Sequence, residues 1–221
     1  MKTILEIYAE YKIMSGLQMH QLRVAAVASL ICDNFDGSLN KEEIITACLL
    51  HDMGNIIKAD LNYFPEFLEP EGLEYWQKVK DAYLEKYGNN EHQATLQILR
   101  ELGLESLSEY VEAIDFRHLE KNIEVEDFGT KICYYADSRV TPLKIVSIEQ
   151  RLLEAKERYG KRNGYAVSDE EREASQYVLL ELEKQIFAKC KIKPEDINND
   201  SATSVISELS NFRIMVSEVV A

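Results

Sequence analysis

The chain has 221 residues, 46% of them apolar and 29% charged, enough for a sizeable core and ordinary for a globular fold. Acidic residues outnumber basic ones 39 to 25, and the formal charge of −14 opposes non-specific binding to nucleic acid or to an anionic membrane. No stretch approaches the ~20 apolar residues that cross a bilayer, and the first six residues meet acid too soon for a signal peptide, so a cytoplasmic protein is expected. Cys32, Cys48, Cys133 and Cys190 form no Cys-x-x-Cys pair and read as small buried thiols of a reducing compartment.

Nine glycines, four prolines and recurrent spacings of three and four point to helices throughout. Ile4, Tyr8 and Tyr11 mark a short first helix. Val24, Val27 and Ile31 predict a second over residues 17–34, with His20 one turn before Val24. Asn40 followed by Glu43 has the form of a capping box. It opens a third helix in which Ile44, Ala47, Cys48 and His51 share a stripe, closed by Gly54 and Asn55. Residues 56–70, with Phe64, Phe67, Pro65 and Pro70, read as an ordered loop or lid. Leu73, Trp76, Val79, Tyr83 and Tyr87 mark the next helix, ending at Gly88, and His92, Leu96 and Leu99 another, ending at Gly103. Val111, Ile114, Asp115 and His118 repeat the inward stripe. Cys133 and Asp137 stand one turn apart in a segment that Pro142 stops.

Past Pro142 the composition shifts to long charged helices. One is expected over residues 143–159, then a glycine-containing linker over 160–167, then a helix from the Ser168/Glu171 capping box to about residue 189. Val205, Leu209, Phe212, Val216 and Val219 form a heptad-like stripe, read as a terminal helix that packs on its own domain or makes a homodimer contact. The chain is therefore all-α.

All four histidines fall at helix-compatible positions: His20, His51 joined to Asp52, His92, and His118, with Asp137 following. An aspartate buried beside imidazoles is costly unless a cation compensates it. Six nitrogen and oxygen ligands without a thiolate argue against a closed structural zinc site. They suit one or two divalent ions that keep open positions: iron, manganese, cobalt, nickel or zinc. Magnesium fits less well where imidazoles dominate.

The order His … His-Asp … His … His … Asp, with Ala47-Cys48-Leu49-Leu50 leading into His51-Asp52-Met53-Gly54, resembles the HD-domain superfamily of metal-dependent phosphohydrolases over about residues 17–145. The resemblance implies an HD-domain helical bundle over residues 1–145, with C-terminal helices over 146–221 that pack on it or extend it. It also implies that His20, His51, Asp52 and Asp137 hold a first ion, and that Asp52 bridges to a second completed by His92 and His118. Six-ligand members include bacterial HD hydrolases of diadenosine tetraphosphate and mixed-valent di-iron oxygenases. The Gly-Tyr-Pro element of the cyclic-dinucleotide phosphodiesterases is absent.

The implied activity is hydrolysis of a phosphate ester or anhydride in a nucleotide or related small phosphorylated metabolite by a metal-activated water, with His51 and Asp52 as the catalytic doublet. A di-iron oxygenase and a non-catalytic nucleotide-sensing module are the alternatives. Arg23, Lys58 and Arg139 stand close enough to the ligands in sequence to hold a phosphate, or to serve as surface ion pairs. Tyr63, Phe64, Phe67 and Trp76 either stack on a base or anchor the irregular segment. Asn55 follows the doublet but cannot act as a proton donor to a leaving group.

Overall fold

A computed structural model describes residues 1–63, 65–114, 123–159 and 169–217. The first helix, α1 (Ile4–Glu10), starts in a capping box: the Thr3 hydroxyl accepts from Glu6 N, and the Glu6 carboxylate accepts from Thr3 N at 2.7 Å. The long α2 (Ser15–Asn34) buries Val24, Ala25, Val27, Ala28 and Ile31 completely. Its alanines let neighbours approach closely, and it packs against α3 (Lys41–Leu50), α7 (Phe128–Ser138) and α10 (Asn199–Leu209).

The middle of the bundle is α3. Asn40 caps it by accepting from Glu43 N, and every side chain from Ile44 to Leu50 is buried. A helix apolar on all sides has to be surrounded, and α2, α6 (Ser108–Ala113) and α7 surround it. Each fully buried leucine or isoleucine contributes roughly 1.5–3 kcal/mol. Where α3 meets α1, the buried Tyr8 hydroxyl donates to Leu49 O at 2.7 Å. Cys48 and Cys133 are buried between α3 and α7, and all four cysteines are free.

A flank is formed by α4 (Leu73–Tyr87) and α5 (Glu91–Glu101), stopped by Gly88 and Gly103 at φ of +81° and +72°. On another side lie α8 (Ile148–Tyr159) and α9 (Asp169–Phe187), with α9 packed on both α7 and α8.

Residues 56–70, expected as an ordered loop or lid, are irregular apart from short 3-10 turns at Asn55–Ile57 and Pro65–Leu68, and the Trp76 indole donates to Leu68 O. Other expectations are corrected. The helix past Pro142 starts only at Ile148, because Thr141 Oγ1 accepts from Leu143 N and Lys144 N and fixes a turn there. The heptad-like stripe near residue 210 is not one helix. After α10 ends at Leu209, the chain turns and Arg213–Ile214 forms β2, antiparallel to β1 (Lys2–Thr3). Phe212 and Val216 still pack on the core, which accounts for the apolar spacing without helical continuity. The Ser168 cap, the 160–167 linker, Asp115, His118 and Val219 lie outside the described residues. Among the described residues no helix is long and apolar enough to cross a membrane.

Candidate metal centre

Three helices converge on one cluster. His20 comes from the second turn of α2, one turn before buried Val24. His51 is the C-cap of α3 and Asp52 follows it in a turn, while Asp137 sits in the last turn of α7. Both α3 and α7 thus deliver these side chains from their C-terminal ends, the negative ends of their dipoles, where a cation is favoured.

His20 Nε2 lies 3.0 Å from Asp137 Oδ1 and 3.8 Å from Asp52 Oδ2. His51 Nε2 lies 3.5 Å from Asp137 Oδ1 and 3.7 Å from Asp52 Oδ2. Ligand atoms of His20, His51 and Asp52 all fall within 4.8 Å of one another. The four side chains are between 2% and 22% exposed, sheltered from bulk water yet open on one side at Asp52.

The tautomer of His51 follows from its neighbour. Nδ1 lies 2.8 Å from Cys48 O, an acceptor, so Nδ1 carries the proton and Nε2 turns a lone pair into the cluster. That Nε2 is buried and has no hydrogen-bond partner. A buried nitrogen with a free lone pair beside two carboxylates is what a divalent cation would satisfy, and the donor set of two imidazoles and two carboxylates fits such an ion.

The electrostatics agree. Burial alone would raise the pKa of Asp137, but contact with His20 and His51 outweighs it and holds the carboxyl well below the ordinary carboxylate range. Asp52 is likewise lowered against the effect of burial, by His51, Lys58 and His20. Burial would lower His51, yet the charges of Asp52 and Asp137 prevail and hold it at about 9, so a divalent ion bound at Nε2 would take the place of a proton there. Both carboxylates are therefore ionised near neutral pH and call for positive charge.

Gln21 and Thr95, which sequence reasoning passed over, join Asn55 and Gly54 in holding the doublet in place. Gln21, completely buried, accepts from Asp52 N through Oε1 at 3.2 Å. Asn55, no acid, donates through its amide to Asp52 Oδ2 and so orients that carboxylate. Gly54 N donates to Thr95 Oγ1 at 2.9 Å, tying the turn to α5. Gly54 does not close α3 through a left-handed conformation, since its φ is −89°. It is required for close approach: a Cβ there would lie 2.2 Å from Glu91 O. A signal for Gln21 was present in the sequence, as a lone amide on the otherwise apolar stripe Gln21, Val24, Ala25, Ala28.

The other sequence candidates are placed as follows. His92 stands half-buried in the first turn of α5 and is not among the groups within 4.8 Å of one another. His118 and Arg117 fall outside the described residues. Lys58 is exposed, 3.3 Å from Glu91 Oε1, and its charge reaches Asp52. Arg23 donates to Pro142 O at 3.2 Å, in the loop past α7.

Arg139 requires a correction. It is 3% exposed, and its guanidinium donates to Val146 O, to the Tyr135 hydroxyl, and to Pro194 O and Ile197 O. With its donors turned to these acceptors it clamps α7 to the C-terminal segment and does not face a phosphate. Trp76 is buried, and the Phe67 ring packs so close over Gly16 that a Cβ there would meet it at 2.7 Å. Both anchor the irregular segment. Tyr63 is exposed, and Phe64 lies outside the described residues.

An all-α bundle with histidines and aspartates gathered at helix ends defines a class of metal-binding helical domain. A comparison with protein families finds the HD domain over residues 18–156, more than half of the chain, and the chain belongs to that family. HD domains typically bind divalent metals, and the family consists mostly of metal-dependent hydrolases. No curated protein and no solved structure matches the chain.

Proposed function

We propose that this protein is a metal-dependent phosphohydrolase that cleaves a phosphate ester or anhydride bond in a nucleotide or related small phosphorylated metabolite. The observation that carries the reading is the meeting of His20, His51, Asp52 and Asp137 around a buried imidazole nitrogen with no hydrogen-bond partner. These four residues would hold the first ion. A second, shared through Asp52, would draw on His92 and His118.

A divalent ion bound there supplies Lewis acidity toward a phosphoryl oxygen and acidifies coordinated water. The chain's own residues do the rest. His51 presents Nε2 because Cys48 O holds Nδ1, and Gln21 and Asn55 fix the Asp52 backbone and carboxylate before any ligand arrives. Lys58 is the cation best placed to meet a substrate phosphate, since it opens the irregular segment and its charge already acts on Asp52. Within a protein of formal charge −14, a locally positive centre would draw small anions while the outer surface turns polyanions away.

The test is metal analysis of protein purified without chelator, followed by turnover of p-nitrophenyl phosphates and a nucleotide panel with manganese or cobalt. Bound divalent metal and hydrolysis are expected. Protein that holds no divalent ion overturns the metal assignment. Iron-loaded protein that consumes oxygen but hydrolyses no phosphate overturns the hydrolase reading in favour of an oxygenase.

A further inference from the structure

Away from the metal centre, the α1–α2 junction, the outer face of α4 and the end of α5 enclose a groove of about 730 Å³. That lies within the ~300–1,000 Å³ typical of small-ligand sites, and none of its lining residues belongs to the metal cluster. We propose that the groove binds a small planar aromatic anion, the chemistry that a nucleoside monophosphate represents, with Lys12 pairing its charge. This site is independent of the hydrolase reading.

The walls are aromatic and fixed in advance. Tyr11, Tyr75, Tyr83 and Tyr87 line the groove. Glu101 accepts from the Tyr11 hydroxyl at 3.2 Å, from the Tyr87 hydroxyl at 3.0 Å and from Lys86 Nζ at 3.0 Å, and the Tyr83 hydroxyl donates to Tyr11 O at 2.6 Å. One carboxylate thus sets two phenols and an ammonium before a ligand arrives, which lowers the ordering cost of binding. Tyr83 and Tyr87 pack on each other with ring centroids 5.2 Å apart and Lys86 lies over the Tyr87 ring, so the exposed Tyr75 ring is the one open to a flat group.

The charge of the lining selects an anion. Lys12, Lys78 and Lys86 face it against Glu10 and Glu101, an excess of one positive charge in a strongly acidic protein. The other charges are already engaged: Lys2 holds Glu10, Lys86 holds Glu101, and Lys78 pairs with Glu74 at 2.7 Å. Lys12 is exposed and makes no ion pair among the described residues.

The backbone singles out the same residue. Lys12 has φ +51°, the left-handed region. It closes α1 in a Schellman arrangement, with Lys12 N bonded to Ala9 O at 3.2 Å and Ile13 N to Tyr8 O at 2.9 Å. Glycine is the stable choice at that position, and a lysine there bears a steric penalty. A side chain kept at the cost of stability, unpaired, at the rim of a tyrosine-lined groove is accounted for by a ligand that it contacts.

The experiment is titration of the full chain with AMP, in EDTA so that the metal centre takes no part, read by calorimetry and by amide chemical shifts of α4. AMP is expected to bind, with adenosine and inorganic phosphate each weaker by at least about tenfold, because each supplies only half of the contact. Lys12→Gly should raise the thermal unfolding midpoint and yet weaken AMP by at least about tenfold, a pairing that a purely structural lysine would not give. Tyr75→Ala should weaken AMP as well, while Asp137→Asn leaves it unchanged. The proposal is overturned if AMP does not bind, if Lys12→Gly binds it like the parent, if phosphate alone binds as well as AMP, or if Asp137→Asn abolishes binding.

Discussion

The metal centre depends on how individual side chains divide their bonds. Asp52 accepts from Asn55, lies close to both imidazoles, and has its own backbone N held by Gln21. On the proposed assignment, Asp52→Ala removes a ligand and strands two imidazoles beside Asp137 alone. Metal affinity should fall by at least about 100-fold, with turnover lost alongside it, as read by metal analysis after dialysis. Arg139 gives the opposite expectation. Arg139→Met leaves the carbonyls of Val146, Pro194 and Ile197 without their donor. It should cost about 3 kcal/mol of folding stability, read by urea denaturation, while KM for a phosphate ester at low temperature stays within about twofold. A large rise in KM with unchanged stability would restore Arg139 to the phosphate. Sequence spacing puts an arginine two residues past Asp137, but it does not reveal that Pro194 and Ile197 fold back onto that guanidinium while Tyr135 and Val146 take its other donors.

Helix type and most helix positions could be read from apolar spacing, most directly where α4 buries Trp76, Val79 and Tyr83 and α5 buries Ala94, Thr95, Ile98 and Leu99, one face of each. What spacing cannot convey is how two elements touch. Gly54 looked like a helix terminator and is instead a contact point, where the doublet turn lies directly on α5. Gly54→Ala drives a Cβ into Glu91 O and Ala94, so α5 must shift away from the turn. The expected loss is about 2–3 kcal/mol, with lower metal affinity as Asp52 is displaced, measured by chemical denaturation and metal titration on the same preparation. The C-terminal stripe misled for a related reason: spacings of three and four also arise when a helix end, a turn and the residues past a short strand each drop one apolar residue onto a shared core, as Leu209, Phe212 and Val216 do.

Over the whole molecule, residues past 145 are bonded into the earlier part at many points. Asn199 bonds both Ile145 N and Ile145 O, Asp36 N donates to Lys189 O, Lys191 N donates to Asn34 O, and α10 lies along α2. One cooperative unfolding transition is expected, with Trp76 fluorescence and far-ultraviolet circular dichroism superimposing. Two separate transitions would make residues 146–221 a unit that melts on its own.

The pairing of Lys2–Thr3 with Arg213–Ile214 also sets two segments more than 200 residues apart in sequence side by side. A short tether across that seam, with a new opening at the exposed Gly88–Asn90 turn, yields a circularly permuted protein in which the helices that carry His20, His51 and Asp137 stay uncut. Such a rearranged chain offers a way to hang a fluorescent reporter beside α4 without disturbing the cluster of His20, His51, Asp52 and Asp137.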